Sequence, residues 1–257
     1  MLGRDARRRS GVRPRQRRVE PTHYRQRDES GQGAEGEKRL AAEAAAQLVE
    51  DGMTVGLGTG STVAYLLPAL ARRNLSLRCV ATSQRTAEAA RSLGLLVEAF
   101  TGIDRLDIAI DGADQIAPDG WLVKGGGGAH TREKLVAVTA ERFVVIADST
   151  KLVERLHQPI PLELLSFGLA STLRRLAPTA VRGVPPSPDG GVIADFTGEV
   201  GDPSTLADRF KATPGLVEHG LFPFDLVERV LVGRGSDVET RTIRHGVQGS
   251  GSSGNTT

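Results

Sequence analysis

Four short stretches of the chain combine residues able to bind phosphate, move protons and steady a developing negative charge. Gly56-Leu57-Gly58-Thr59-Gly60-Ser61-Thr62 stands between an apolar strand pattern and a helix pattern. Its glycines admit an anion close to the backbone, the helix start offers free N–H groups, and Ser61 and Thr62 add hydroxyls. It lacks the Lys of a Walker A loop, and Ser61 replaces the third glycine of the dinucleotide fingerprint. Asp111-Gly112-Ala113-Asp114 ends a second apolar strand, where paired carboxylates can hold hydroxyls or shuttle protons. Lys124-Gly125-Gly126-Gly127-Gly128-Ala129-His130-Thr131-Arg132-Glu133-Lys134 puts an ammonium before bare backbone amides and a carboxylate in the next helix's first turn. Those are an electrophile, an anion-friendly surface and a base. Ala147-Asp148-Ser149-Thr150-Lys151 adds a lysine with phosphate reach at another strand end. Each stretch alone has a plainer reading: a tight turn, an Asx cap, a solvated Glu133, a surface Lys151.

Placing these groups together requires alternating strands and helices. The pattern predicts a helix over 35–50, a strand over 53–57 and a helix over 62–70. A strand over 77–81, a helix over 84–93 and a short strand near 96–100 follow. Strands over 106–110 and 121–123, a helix over 131–141 and a strand over 143–147 close this half. Such alternation with apolar strands implies a parallel sheet covered on both faces, with ligands collecting beyond the strands' C-terminal ends. After Pro159 and Pro161 the pattern changes. It gives a strand near 162–165, a helix over 167–176, and two strands joined through Pro188-Asp189-Gly190-Gly191. A helix near 204–211, a strand over 217–222 and a final strand over 226–232 returning to the main sheet complete it. The expected division is a catalytic domain over 34–157, completed by about 226–246, with a small α+β domain over 158–225.

Composition narrows the class. The 257 residues carry a net charge of +2, yet residues 1–27 hold ten arginines against Asp5 and Glu20, leaving the rest acidic. Residues 1–33 are expected to be a disordered, dispensable Arg-rich extension, and 247–257 a flexible tail. Contact of the basic arm with nucleic acid or an acidic partner is the alternative. No apolar run is long enough to span a membrane, and a single cysteine, Cys79, excludes an internal disulfide framework, so a cytoplasmic setting is expected. The histidine spacing fits no metal site. Of 33 basic residues only five are lysines, and four of these (Lys38, Lys124, Lys134, Lys151) fall in or beside the chemical stretches or the first helix. A chain that otherwise uses arginine has kept lysine where a compact ammonium differs from a planar fork.

The order Gly-Thr-Gly-Ser-Thr, Asp-Gly-Ala-Asp, Lys-Gly-Gly-Gly…Thr-Arg-Glu-Lys, Ala-Asp-x-x-Lys resembles type A ribose-5-phosphate isomerase from about Glu37 to Gly235, including Pro214-Gly215-Leu216-Val217…Gly220-Leu221-Phe222. The resemblance implies a Rossmann-like, mostly parallel sheet with a second, smaller α+β domain, forming a homodimer or homotetramer. It implies a cofactor-free, metal-free isomerase of the non-oxidative pentose phosphate pathway, with a sugar phosphate as its small-molecule partner. By the same resemblance Glu133 is the proton acceptor, assisted by Lys124 and Asp111. Lys38, Thr59, Gly60, Ser61, Thr62, Asp111, Gly112, Ala113, Asp114, Lys124, Gly125, Gly126, Gly127 and Lys151 bind substrate.

Two departures stand out. Gln115 replaces a usual Glu outside the proton path, and His130 replaces a usually apolar neighbour of the site. Ile160-Pro161-Leu162-Glu163-Leu164 keeps the family's Pro-x-Glu pattern. The competing readings are a non-catalytic sugar-phosphate sensor on the same scaffold and a related enzyme such as an acyl-CoA transferase or amino-sugar phosphate deaminase. A sensor needs the phosphate cradle but neither Glu133 nor Lys124.

Overall fold

The computed structural model describes residues 25–243, with side chains from Gly33 onward. The expected disorder of residues 1–24, the contacts of the basic arm and the tail at 247–257 lie outside the described residues. Helix α1 spans Arg25–Ala46, so residues 25–33 of the expected extension are helical. The segment 25–33 has no apolar residue, and its helicity therefore leaves no hydrophobic signature in the sequence.

The main sheet is built from β1 (Thr54–Leu57), β2 (Arg78–Ala81), β3 (Leu96–Val97), β4 (Ile108–Asp111), β7 (Phe143–Asp148), β13 (Arg229–Arg234) and β14 (Asp237–Thr242). Their order is β14-β13-β7-β4-β1-β2-β3, all parallel except the edge strand β14, which pairs antiparallel with β13. From β1 the chain winds one way through β2 and β3, and from β4 the other way through β7 and β13. The crevice where winding reverses lies between β1 and β4, the place where open α/β sheets bind ligands.

Both faces of this sheet are covered. On one face Ala41, Ala42 and Ala45 of α1, Leu66 and Leu70 of α2 (Ser61–Ala71), and Ala90 of α3 (Gln84–Ser92) pack on Val55, Leu57, Ile108, Ile110 and Val144. On the other, Val136 and Ala137 of α4 (His130–Thr139) pack on Ala109, Val145 and Val230. Beside α4 lies an antiparallel three-stranded sheet of β5 (Gln115–Ile116), β6 (Leu122–Val123) and β12 (Leu221–Phe222). Successive strand residues face opposite ways. Leu122 and Phe222 therefore enter the core beneath the main sheet, while Val123 and Leu221 enter a second core.

That second core belongs to the smaller α+β domain. Its sheet has the order β11-β8-β10-β9, from β8 (Ile160–Leu164), β9 (Thr179–Val181), β10 (Val192–Phe196) and β11 (Leu216–His219). It packs with α5 (Leu169–Arg175) and with Leu206 and Phe210 of α6 (Pro203–Lys211). The single strand expected over 217–222 is in fact two strands, β11 and β12, in different sheets. They break at Gly220, whose N–H donates to the Pro161 carbonyl while its own carbonyl accepts from the Lys124 N–H at 2.9 Å. A Cβ there would run into the Lys124 carbonyl and the Pro161 ring, so only glycine lets the two sheets meet at Lys124.

Candidate active site

The C-terminal ends of β1, β4 and β7 are adjacent, so three of the four chemical stretches converge at the crevice without long-range coincidence. After β1 the chain turns through Gly58–Gly60 into α2. Gly60 caps that helix without a side-chain hydrogen bond, which leaves the amide N–H groups of its first turn open. After β4, Asp111 turns back toward this loop: its Oδ1 accepts from the Thr59 N–H at 3.0 Å and the Gly112 N–H at 2.7 Å. After β7, Asp148 Oδ1 caps a short 3-10 turn over Ser149–Lys151 by accepting from the Thr150 N–H at 3.0 Å. The fourth stretch arrives from below, where β6 delivers Lys124 and α4 delivers Glu133.

These elements enclose a pocket of about 120 Å³ lined by Thr59, Gly60, Ser61, Thr62, Gly112, Ala113, Asp114, Lys124, Gly125, Gly126, Gly127, Glu133 and Lys151. Every lining residue belongs to the set expected from the sequence. At its base Lys124 Nζ stands 2.8 Å from Asp111 Oδ2 and 3.2 Å from Glu133 Oε2, and donates to the Gly112 carbonyl at 2.6 Å. Lys124 is 2% exposed, Asp111 3% and Glu133 5%. The Asp111 Oδ2 and Glu133 Oε2 atoms face the ammonium and accept no other hydrogen bond, and of the two carboxylates only Glu133 lines the pocket and is open to a reacting group.

One ammonium cannot offset two buried carboxylates. Burial raises Glu133 to about 8; the Lys124 charge opposes the rise and the Asp111 charge adds to it. Asp111 is also raised by burial, against the pull of Lys124. Burial alone would lower Lys124, but the two carboxylates outweigh it and hold the ammonium charged. The cluster thus retains a proton near neutral pH, poised at the carboxylates.

Gly58 shows how tightly this cluster is built. A Cβ on residue 58 would overlap the Asp111 carboxyl, which is buried and held by Lys124 and the Thr59 and Gly112 amides. Gly58→Ala is expected to lose about 1–3 kcal/mol of stability by overpacking and to pull Asp111 from Lys124. Urea denaturation alongside turnover checks this; an unchanged midpoint with full activity would show that the packing is slack.

Two expected substrate ligands stand back from the pocket wall. Asp111 acts from behind it, through Lys124 and the Thr59 amide. Lys38 lies on α1 with its Nζ 2.6 Å from Glu35, a carboxylate that also accepts from the Tyr65 hydroxyl. The neighbouring Glu37 places this part of α1 at the same sheet end, accepting from Ser149 N–H at 2.9 Å and Gly235 N–H at 2.8 Å. His130, which departs from a usually apolar neighbour of the site, does not line the pocket. It is fully buried beneath the glycine run, its ring against Gly125 and its Nε2 3.3 Å from the Glu218 carbonyl. Burial lowers it to about 3, so it is neutral across the physiological range. Gln115 also faces away, donating to the His157 carbonyl and accepting from the His157 N–H, each at 2.8 Å.

Sequence reasoning missed residues that hold the site from the smaller domain. Arg182 donates to the carbonyls of Gly125 and Gly126, and Glu163 accepts from the Thr131 hydroxyl at the start of α4. The Pro-x-Glu pattern was the available signal for Glu163; Arg182 had none among 28 arginines. A larger cleft of about 680 Å³ lies on the far side of α4, beside α3. Its acids, exposed Asp189 and half-buried Glu98, are already paired, with Arg132 and Arg78, so it offers no fully buried acid–base group.

Comparison with known proteins agrees with this geometry. The family model "Ribose 5-phosphate isomerase A (phosphoriboisomerase A)" matches residues 78–237, more than half of the chain. A second model, "DeoR C terminal sensor domain", matches residues 34–94 and so ends before Asp111, Lys124 and Glu133. The chain is 45% identical over 215 residues to ribose-5-phosphate isomerase A of Caulobacter sp. (strain K31), covering 78% of this chain and 95% of that protein. Among solved structures it is similar to ribose 5-phosphate isomerase A from Neisseria gonorrhoeae, with TM-score 0.77 and 31% identity over 81% of this chain and 96% of that one. The enzyme from Methanocaldococcus jannaschii gives TM-score 0.75 and 34% identity over 80% and 97%. A sensor-domain match accounts for the phosphate loop alone, whereas the isomerase match extends over the acid–base cluster and the smaller domain, so the chain belongs to the ribose 5-phosphate isomerase A family and is an isomerase.

Proposed function

We propose that the chain interconverts D-ribose 5-phosphate and D-ribulose 5-phosphate through an enediolate, with Glu133 as the proton acceptor. The observation that carries this is Lys124 buried between Asp111 and Glu133 at one end of a pocket whose other end is the open N-terminus of α2. The phosphoryl group occupies the Gly60–Thr62 end, held by amides, hydroxyls and Lys151. Lys38 joins it if the ammonium exchanges Glu35 for the phosphate. In the open-chain aldose, the Glu133 carboxylate takes the proton from C2, and the C1 carbonyl oxygen becomes an oxyanion. Lys124 and the glycine-run amides stabilise that charge. Glu133 then returns the proton to C1 while the O2 proton passes to O1, leaving the carbonyl at C2. Asp111 orients Lys124 from behind the pocket wall and bears on ring opening and hydroxyl proton transfer through that ammonium.

Purified protein supplied with ribose 5-phosphate in D₂O tests the reading. Ketose formation with solvent deuterium at the transferred position is the expected result. Ketose without deuterium would point to a hydride shift, and no ketose would reject the substrate.

The domain division at 34–157, completed by about 226–246, and 158–225 is supported by two clusters on the main sheet and a third centred on the smaller sheet, which also takes in Ala117, Trp121, Val123 and Leu156 of the larger unit. A cytoplasmic setting accords with Cys79 being the chain's one cysteine, a free thiol. No helix among the described residues is long and apolar enough to cross a membrane. Assembly as a homodimer or homotetramer accords with exposed apolar side chains on α4, Leu135 and Val138.

A further inference from the structure

The glycine run that bears the proposed oxyanion site has little side-chain packing of its own, yet it must keep one conformation through a proton transfer. Its fixings are few. The Gly126 N–H donates to Asp114 Oδ2 at 2.7 Å, and the Gly128 N–H to the Gly125 carbonyl at 2.9 Å. The remaining fixing comes from the other domain. Arg182, on the connection between β9 and β10, directs Nη1 at the Gly125 carbonyl (3.1 Å) and the Gly126 carbonyl (3.0 Å). Its other donors are committed to one carboxylate: Nε to Asp195 Oδ2 at 2.7 Å and Nη2 to Asp195 Oδ1 at 2.6 Å. A planar fork held on one edge by Asp195 presents its remaining nitrogen in a fixed direction, which a lysine cannot reproduce.

We infer that Arg182 is a positioning residue for the isomerisation, fixing the glycine run by its carbonyls so that the run's amides face the substrate. In a trans peptide the N–H points opposite to the C=O. Drawing the Gly126 carbonyl toward Arg182 therefore turns the Gly127 N–H away from the smaller domain, and Gly127 lines the substrate pocket while Arg182 does not. Glu163 secures the far end of the same segment. It is 1% exposed on β8 and accepts from the Thr131 and Ser187 hydroxyls, two residues before Glu133 in the first case. The smaller domain thus grips the catalytic segment at both ends of its loop. This inference rests on the proposed roles of Glu133 and Lys124.

The test compares wild type, Arg182→Met, Arg182→Lys and Asp195→Asn for ribose 5-phosphate turnover, with inorganic phosphate as a competitive probe of the α2 N-terminus. Circular dichroism verifies folding. Arg182→Met is expected to lose roughly 10- to 100-fold in kcat, the scale of a small misplacement at the reacting centre. The inhibition constant of phosphate should stay within about twofold, because Arg182 does not touch the phosphate loop. Arg182→Lys should recover part of kcat, and Asp195→Asn should fall between wild type and Arg182→Met. A folded Arg182→Met with kcat within about twofold of wild type overturns the inference, as does an equal loss of phosphate affinity, which marks general loosening. Should Arg182→Met fail to fold, Asp195→Asn decides: undiminished kcat overturns the inference. A wild type that does not turn over ribose 5-phosphate rejects the underlying reading instead.

Discussion

Glu133→Gln is expected to reduce kcat for ribose 5-phosphate by at least about a thousandfold while leaving sugar-phosphate binding within a few-fold of wild type. The amide is nearly isosteric and fits the same buried slot, so packing in α4 is kept. It cannot accept a carbon-bound proton, and nothing else at the pocket wall is placed to do so: Asp114 is engaged by the Gly126 N–H, and Asp111 stands behind Lys124. Binding survives because the phosphate end, Gly60–Thr62 with Lys151, is built from other elements. Burial is part of the role. A carboxylate taken out of water is a stronger base, and with its pKa near 8 Glu133 is better matched to a weakly acidic carbon than a solvated Glu. Single-turnover kinetics with a phosphate-competition assay measure both quantities. Retained turnover in the folded variant would remove Glu133 from the proton path.

How legible this site was in the sequence depended on distance along the chain. Strand, loop and helix beginnings are local, and in a parallel sheet all loops of one kind emerge at one edge. Thr59–Thr62, Asp111–Asp114 and Lys151 therefore meet once β1, β4 and β7 are neighbours. Apolar runs such as Ile108-Ala109-Ile110 made those strands visible. What stayed hidden depends on docking between distant segments. Arg182 reaches a loop 57 residues earlier, and Glu37 bonds Ser149 across 112 positions, contacts that no local pattern encodes. The two-residue β5 and the break at Gly220 were hidden for another reason: they are set by the approach of another backbone, not by side-chain periodicity. The chain from Val217 to Phe222 reads as one strand because apolar residues flank Glu218-His219-Gly220 on both sides, and the glycine between them is one that the Lys124 carbonyl requires.

Replacing Lys124 by Met tests the electrostatics from the other side. The Met side chain matches the apolar length of lysine, and kcat/KM is expected to fall by about 10²–10³, the scale of losing one preorganised donor to an oxyanion. The pH profile carries the sharper prediction. In wild type the acid limb of kcat/KM is expected to report ionisation of Glu133 in the free enzyme, with its midpoint near pH 8. Activity is lost as pH falls through that value, because the protonated carboxyl cannot accept a proton. Lys124 lowers the Glu133 pKa and Asp111 raises it. Lys124→Met must therefore move the acid limb to higher pH, and Asp111→Asn must move it to lower pH, whatever each does to the maximum rate. Opposite shifts from substitutions of two groups 2.8 Å apart are not produced by loosening of the fold, which would move both profiles alike. If both variants shift the limb in the same direction, a group other than Glu133 sets it, and the buried triad is not the proton-transfer unit.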